Sequence, residues 1–230
     1  MSRRAEPLSR EHVLAAAVAL ADTEGLRALT MRRLAADLGI EAMSLYYHLP
    51  GKEGLLDGLV ESVISEITEA VGEDRAAGQG QARGGAEGDW RARTRQRFLR
   101  AREVMLRHPW APALIGTRPA IPPSLYAYYD QIVGTLMDGG FPPALAHRAM
   151  HAFGPMALGF VQELFTPATM EAGTAEADLA AMAEAVPHLT AMMAAEVHAA
   201  GDPTLGWCDS QTEFEFTLDL LLDGLDRARP

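Results

Sequence analysis

Between residues 9 and 57, two short amphipathic helical segments meet at a turn containing Gly39, and the second carries Ser44, Tyr46, Tyr47 and His48 in close succession. This part of the chain is restricted to a cluster of short helices that bury one face and display the other. The first helix is expected to start at Ser9, an N-cap with Glu11 in the first turn, to bury Val13, Ala17, Leu20 and Ala21, and to stop at Gly25. Thr30 is placed to cap the second, where Leu34 and Leu38 fall four apart and Ala35 is small enough for a crossing helix to approach. Gly39 supplies the positive φ of the turn. The third helix is expected over 42–49, with Leu45 and Leu49 inward, Ser44, Tyr47 and His48 outward, and Pro50-Gly51 as its end.

Leu55, Leu56, Leu59, Val60, Val63, Ile64 and Ile67 continue at helical spacing, which predicts a connecting helix over 53–71 between a head, residues 1–52, and a separate body. Residues 72–88 hold six Gly and no large apolar side chain, too little buried surface to offset the entropy of ordering, and read as a flexible linker. The body, 89–230, reads as helix over 89–108, 123–138, 143–165, 176–200 and 210–227. A short turn is expected over 111–116, a kink or break at Gly154-Pro155 and a split near Pro187. No hairpin signal or internal repeat interrupts this pattern, so the expected fold class is all-α.

The longest apolar runs, 13–21 and 152–161, fall short of the roughly 20 residues that span a bilayer, so a soluble cytoplasmic protein without a membrane partner is expected. Cys208 is the only cysteine, which excludes an intrachain disulfide and a multi-cysteine zinc site. The net charge of −11 is unevenly spread: residues 1–52 carry seven Arg or Lys and six acids, net +1, leaving −12 on the rest. An acidic body repels phosphate, so any contact with nucleic acid falls to the head.

Two helices across a short turn, the first over the backbone and the second in the major groove, is helix-turn-helix geometry, and the residue types suit it. Ser44 offers a short hydroxyl for a base edge or phosphate, Tyr46, Tyr47 and His48 combine donors with rings, and Lys52 sits near a helix start that favours phosphate. Arg32 is placed to reach a guanine edge or the backbone. For Tyr46 core packing is the competing reading, and for His48 bracing or capping.

Gly25-Leu26-Arg27-Ala28-Leu29-Thr30, Leu34-Ala35-Ala36-Asp37-Leu38-Gly39-Ile40, Ser44-Leu45-Tyr46-Tyr47-His48-Leu49 and Lys52-Glu53-Gly54-Leu55-Leu56-Asp57 resemble the N-terminal domain of the tetracycline-repressor (TetR) family of bacterial regulators. The resemblance implies that Arg32, Ser44, Tyr46, Tyr47, His48 and Lys52 contact double-stranded operator DNA. Ala42 and Met43 depart from the polar or Pro residues that often open the recognition helix. The resemblance also implies a C-terminal domain that binds a small effector and dimerises through a four-helix bundle, here assigned to 143–165 and 210–227. The body is similar to that domain in Leu114-Ile115-Gly116-Thr117-Arg118-Pro119 and Leu158-Gly159-Phe160-Val161-Gln162-Glu163. Leu114 stands where the metal-ligating His of a magnesium-drug complex would be expected, which counts against tetracycline and for an apolar or aromatic effector.

The candidate effector residues are Trp90, Phe98, Met105, Trp110, Tyr129, Met137, Met150, Phe153, Met156 and Phe160, with His151 or Glu163 as polar anchors; for each, plain core packing is the competing reading. His147 and His151 have metal-ligand spacing but lack a nearby third ligand, and no cofactor or metal is expected. The expected function is a homodimeric repressor released from its operator by a small molecule. A DNA-binding dimer without an effector and a helical enzyme are the alternatives, the second disfavoured because no nucleophile elbow, His-Glu-x-x-His, phosphate loop or complete dinucleotide fingerprint occurs.

Overall fold

A computed structural model of the chain describes residues 8–78, 86–160, 183–195 and 210–230, and every regular element among them is a helix. Residues 1–161 and 218–230 form one unit and 162–217 a second.

In the first unit α1, Arg10–Glu24, is capped by Ser9, whose hydroxyl oxygen accepts the His12 N–H at 3.1 Å. Thr30 caps α2, Met31–Asp37, in the same way through the Arg33 N–H. Gly39, at φ 68°, turns the chain into α3, Ala42–Leu45. Helix α4, Gly51–Gly78, has 28 residues and so is about 42 Å long. Its start packs on α1 at Gly58, where an added Cβ would meet Leu14 Cδ2 at 2.5 Å, so that any larger residue would have to displace the Leu14 side chain. Leu29, Leu34, Leu45, Leu49, Leu55 and Leu59 are fully buried and supply the apolar interior of the head.

Helix α4 also packs on α5, Ala86–Arg107, on α6, Ala111–Thr117, and on α7, Pro123–Asp138; α8, Pro143–Gly159, closes the body against α7, α6 and α5. Arg102 of α5 is fully buried and donates to the Phe160 carbonyl at 2.6 Å, placing a cation at the carboxyl end of α8, where the helix dipole favours it. In the second unit α9 spans Pro187–Ala195. Helix α10, Ser210–Arg227, starts there, and its later turns lie in the first unit, where Asp219 and Asp223 pair with Arg95 and Arg91 of α5.

Several boundaries differ from the sequence reading. Helix α4 runs seven residues past 71 and α5 begins at Ala86, so helix enters both ends of the expected linker 72–88; residues 79–85 lie outside the described residues. The extension has a partner: Arg100 of α5 grips Asp74 at 2.6 and 2.7 Å and holds its carboxyl below the usual carboxylate range. The expected turn at 111–116 is a helix, since Pro112 near its start needs no donor there. Helix α3 is α-helical over four residues; beyond them Tyr46 and His48 donate to carbonyls three residues back, so the last turn is tightened ahead of Pro50. Pro155 does not break α8, which continues to Gly159. The expected ends of that helix at 165 and of the 176–200 segment lie outside the described residues.

Candidate nucleic-acid interface and effector cavity

The recognition turn is built on two leucines. Leu45 and Leu49 are buried beneath α3 and the turn after it, which drives Tyr46 and Tyr47 between them outward, 51% and 90% exposed; Met43, before Leu45, is 70% exposed. Ser44 and His48 are half-buried. On α2 the two neighbouring arginines differ. Arg33 is tied to Glu24 at 2.7 Å and to Asp37 at 3.0 Å, whereas Arg32 is exposed and forms no salt bridge among the described residues; exposed Lys52 likewise forms none. The head thus keeps two uncompensated cations near the turn, together with the phenols of Tyr46 and Tyr47. These are groups that meet phosphate oxygens and base edges.

Head and body are joined by a polar node. His108, at the end of α5, is buried, with Nδ1 2.8 Å from Asp22 Oδ1 of α1 and Nε2 2.8 Å from Glu66 Oε2 of α4. The Trp110 indole N–H donates to the same Asp22 oxygen at 2.7 Å, and Arg107 donates to Glu66 at 2.6 Å. Burial works to raise the Glu66 carboxyl, but its bonds from Arg107 and His108 outweigh burial and hold it below the ordinary glutamate range. Nearby, Arg118 forks onto Asp57 and Glu53 of α4, at 2.7 and 2.9 Å, and Arg10 of α1 pairs with Glu61.

Beside the same helix lies a cavity of about 60 Å³, walled by α4, α5, α6, α7 and α8. Among the described residues its lining is apolar apart from two phenols, Tyr128 and Tyr129, and carries no charged side chain. Of the residues expected at an effector site, Phe98, Met105, Tyr129 and Met150 line it.

The others are placed elsewhere. Phe153 is buried behind the wall, stacked on Phe98 at 4.9 Å between ring centroids. Trp90 packs edge-on against Phe141 and covers Gly139 at the α7–α8 turn. Trp110 belongs to the head–body node because its N–H finds a carboxylate there. Met137 and His151 are exposed, Met156 is partly exposed without lining the cavity, and Phe160 caps α8. Glu163 lies outside the described residues. Leu114 is buried core. His147 and His151 form an edge-on ring pair 4.6 Å apart, and no cluster of three metal-ligating side chains occurs among the described residues.

The sequence reading missed Ile64, Ile67 and Tyr128 in the cavity wall and Asp22, Glu66 and His108 at the node. The isoleucines were visible as one stripe of α4, but nothing local ties positions 42 and 86 residues apart. No helix among the described residues is long and apolar enough to cross a membrane.

Residues 13–59 match the family model described as bacterial regulatory proteins, tetR family, and residues 85–229 match that of the tetracyclin repressor-like C-terminal domain. An HTH-type transcriptional regulator of Saccharopolyspora erythraea is 31% identical over 97% of this chain and 87% of its own length. The HTH-type transcriptional repressor DrrR1 of Streptomyces coeruleorubidus is 28% identical over 98% of this chain and 80% of its own. Among solved structures, a possible TetR family transcriptional regulator from Streptomyces coelicolor A3(2) superposes with a TM-score of 0.71 at 28% identity, covering 96% of this chain and all of that one.

Proposed function

This chain belongs to the TetR family of bacterial regulatory proteins, and from that premise we infer that Arg32, Ser44, Tyr46, Tyr47, His48 and Lys52 bind its operator, and that an apolar or aromatic molecule entering the body's cavity releases it. It is a DNA-binding transcriptional regulator of the effector-responsive repressor type, and its relatives are named as regulators and repressors, not as enzymes. The observation that carries the coupling is the double duty of α4. Ile64 and Ile67 wall the cavity, while Glu61 and Gly58, about one and two turns earlier, touch α1 of the head. A ligand that pushes on those isoleucines moves the helix on which the head is seated. It shifts the DNA-bound population only if it binds the two arrangements with different affinity.

Members of this family act as dimers, and for this chain we assign the contact to 143–165 and 210–227. Exposed Phe216 and Leu220 on α10 and the exposed His147–His151 pair on α8 support that assignment. Two heads must then meet half-sites about 34–36 Å, or a multiple, apart. Tetracycline fits poorly, because Leu114 offers no metal ligand. The cavity also needs to open, since about 60 Å³ is well below the roughly 300–1,000 Å³ of drug-sized sites, and Met105 and Met150 give it walls that can move.

A mobility shift of the purified protein on the DNA upstream of its own reading frame tests the first half. Binding at low salt that weakens steeply as salt rises is expected, and no binding at low salt would end the reading. The small cavity is also what a regulator without an effector would show. Heat denaturation against a library of apolar and aromatic compounds separates the two, because only the effector reading predicts compounds that raise the melting temperature and free the operator.

A further inference from the structure

The cavity wall contains one polar group out of keeping with its surroundings. Tyr128, on α7, is 6% exposed and lines the cavity, yet its O–H proton meets no acceptor among the described residues. The Arg97 guanidinium lies over the Tyr128 ring, 5.3 Å from its centroid, and gives Nη1 to Gln131 Oε1 at 3.1 Å; toward the phenol it can only donate to the oxygen, which leaves the O–H proton without an acceptor. Tyr129, the other phenol at the cavity, is only half-buried. Across from α7, on α5, Thr94 sits one turn before the cavity residue Phe98, and its buried hydroxyl also lacks a partner. Buried hydroxyls are nearly always satisfied, so an orphan in the wall of a cavity points to a partner that arrives with the ligand.

We propose that the Tyr128 hydroxyl selects the effector, donating a hydrogen bond to a carbonyl oxygen on an otherwise hydrocarbon, ring-sized and uncharged molecule. This rests on the cavity being the effector site and adds what that site recognises. The lining argues for each part of the description. Among the described residues the lining offers no cation to hold an anionic group and no carboxylate to hold an ammonium, so a charged ligand would be desolvated there without compensation. The remaining wall is aliphatic and aromatic, which suits fused rings. Burial pushes the phenol up to about 12, against the charge of Arg97 and its hydrogen bond to the oxygen, so Tyr128 stays a neutral O–H donor throughout the physiological range. A site with a fixed donor discriminates strongly against a ligand lacking the acceptor, because the donor is then left unpaired in the complex.

The test uses the full-length protein and two probes with one ring skeleton, 1-tetralone and tetralin, which differ by a carbonyl oxygen. Dissociation constants for both are measured by calorimetry on the wild type and on Tyr128→Phe, which removes only the hydroxyl oxygen. The ratio of tetralone to tetralin affinity is expected to fall about tenfold from wild type to Tyr128→Phe, with tetralin affinity unchanged; taking the ratio cancels the different hydration of the probes. The variant without ligand is expected to melt no lower than wild type, since it loses an unpaired group. Three results would overturn the assignment. If both probes bind and the ratio does not move, the cavity stands as the effector site and Tyr128 does not read the ligand. If the unliganded variant melts lower or fails to fold, the hydroxyl has a partner within the protein. If neither probe binds wild type, the effector reading of the cavity falls and the proposal with it.

Discussion

The recognition turn and the body's cavity present opposite faces of one problem, how a helical protein leaves room for a partner. In the head the partner is outside: Leu45 and Leu49 are buried so that Tyr47 stands 90% exposed, and the surface exists whether or not DNA is present. In the body the proposed partner belongs inside, where the cavity measures about 60 Å³ and the Tyr128 O–H meets no acceptor among the described residues. A groove-reading surface can be rigid because DNA is large and brings its own shape. An empty apolar cavity forgoes contacts among its lining atoms, so a narrow one is favoured without ligand and a larger molecule has to widen it. The difference assigns rigidity to the head and compliance to the body, with α4 and the His108 node between them.

The sharpest break in that comparison is beneath the turn. Leu45→Ala removes a fully buried side chain from a small cluster and is expected to destabilise by about 2–5 kcal/mol, read as a fall in the denaturation midpoint, with operator binding lost as the head unfolds. Tyr47→Ala, two residues on, should instead leave the melting temperature alone and weaken operator binding by about 1–3 kcal/mol, roughly ten- to hundredfold. A Tyr47→Ala protein that melts early would mean the ring is a packing element and the surface is not preformed.

Charge sharpens the contrast further. Arg32→Gln should reduce the salt dependence of operator binding by about one phosphate contact, whereas Arg33→Gln, whose guanidinium already serves Glu24 and Asp37, should leave that slope unchanged. Equal slopes for the two variants would show that the ion pairs of Arg33 do not keep it from DNA. The smallest effect belongs to the junction. Glu66 is held low in the folded state, so its contribution is present above the unfolded value of about 4.3 and is lost as pH falls through the lower folded value. Acid denaturation of Glu66→Gln should therefore be less steep below about pH 4 than that of the wild type, as followed by circular dichroism. Identical acid limbs would remove Glu66 from the forces joining head to body.

What could be read from the chain follows how far apart the interacting groups are in sequence. The caps at Ser9 and Thr30 and the turn at Gly39 were legible because each depends on bonds three or four residues away. The exposure of Tyr47 was legible because burying Leu45 and Leu49 settles which side the intervening residues take. The continuation of α4 past 71 was not, because Asp74 is held by Arg100, and neither composition nor periodicity links them. Nor could the two arginines of α2 be told apart, since the groups that engage Arg33 depend on how the end of α1 lies against α2. At the cavity the sequence offered aromatic and Met candidates that are apolar wherever they go, and hydrophobicity drives burial without direction. It was packing that brought Phe98 and Met150 to the cavity and carried Trp110 to a carboxylate at the head–body node.

The sequence by itself determined that this is an all-helical protein with a helix-turn-helix head, because helical periodicity, capping and glycine turns are short-range and add up locally. The tertiary structure alone decided which groups meet: that His108 lies between Asp22 and Glu66, that Ile64 of the connecting helix walls a cavity, and that the Tyr128 O–H is enclosed without an acceptor among the described residues. The physical reason is that burial is favourable for any apolar neighbour, whereas a hydrogen bond or its absence depends on one atom at one distance, and only the folded arrangement of helices sets that distance.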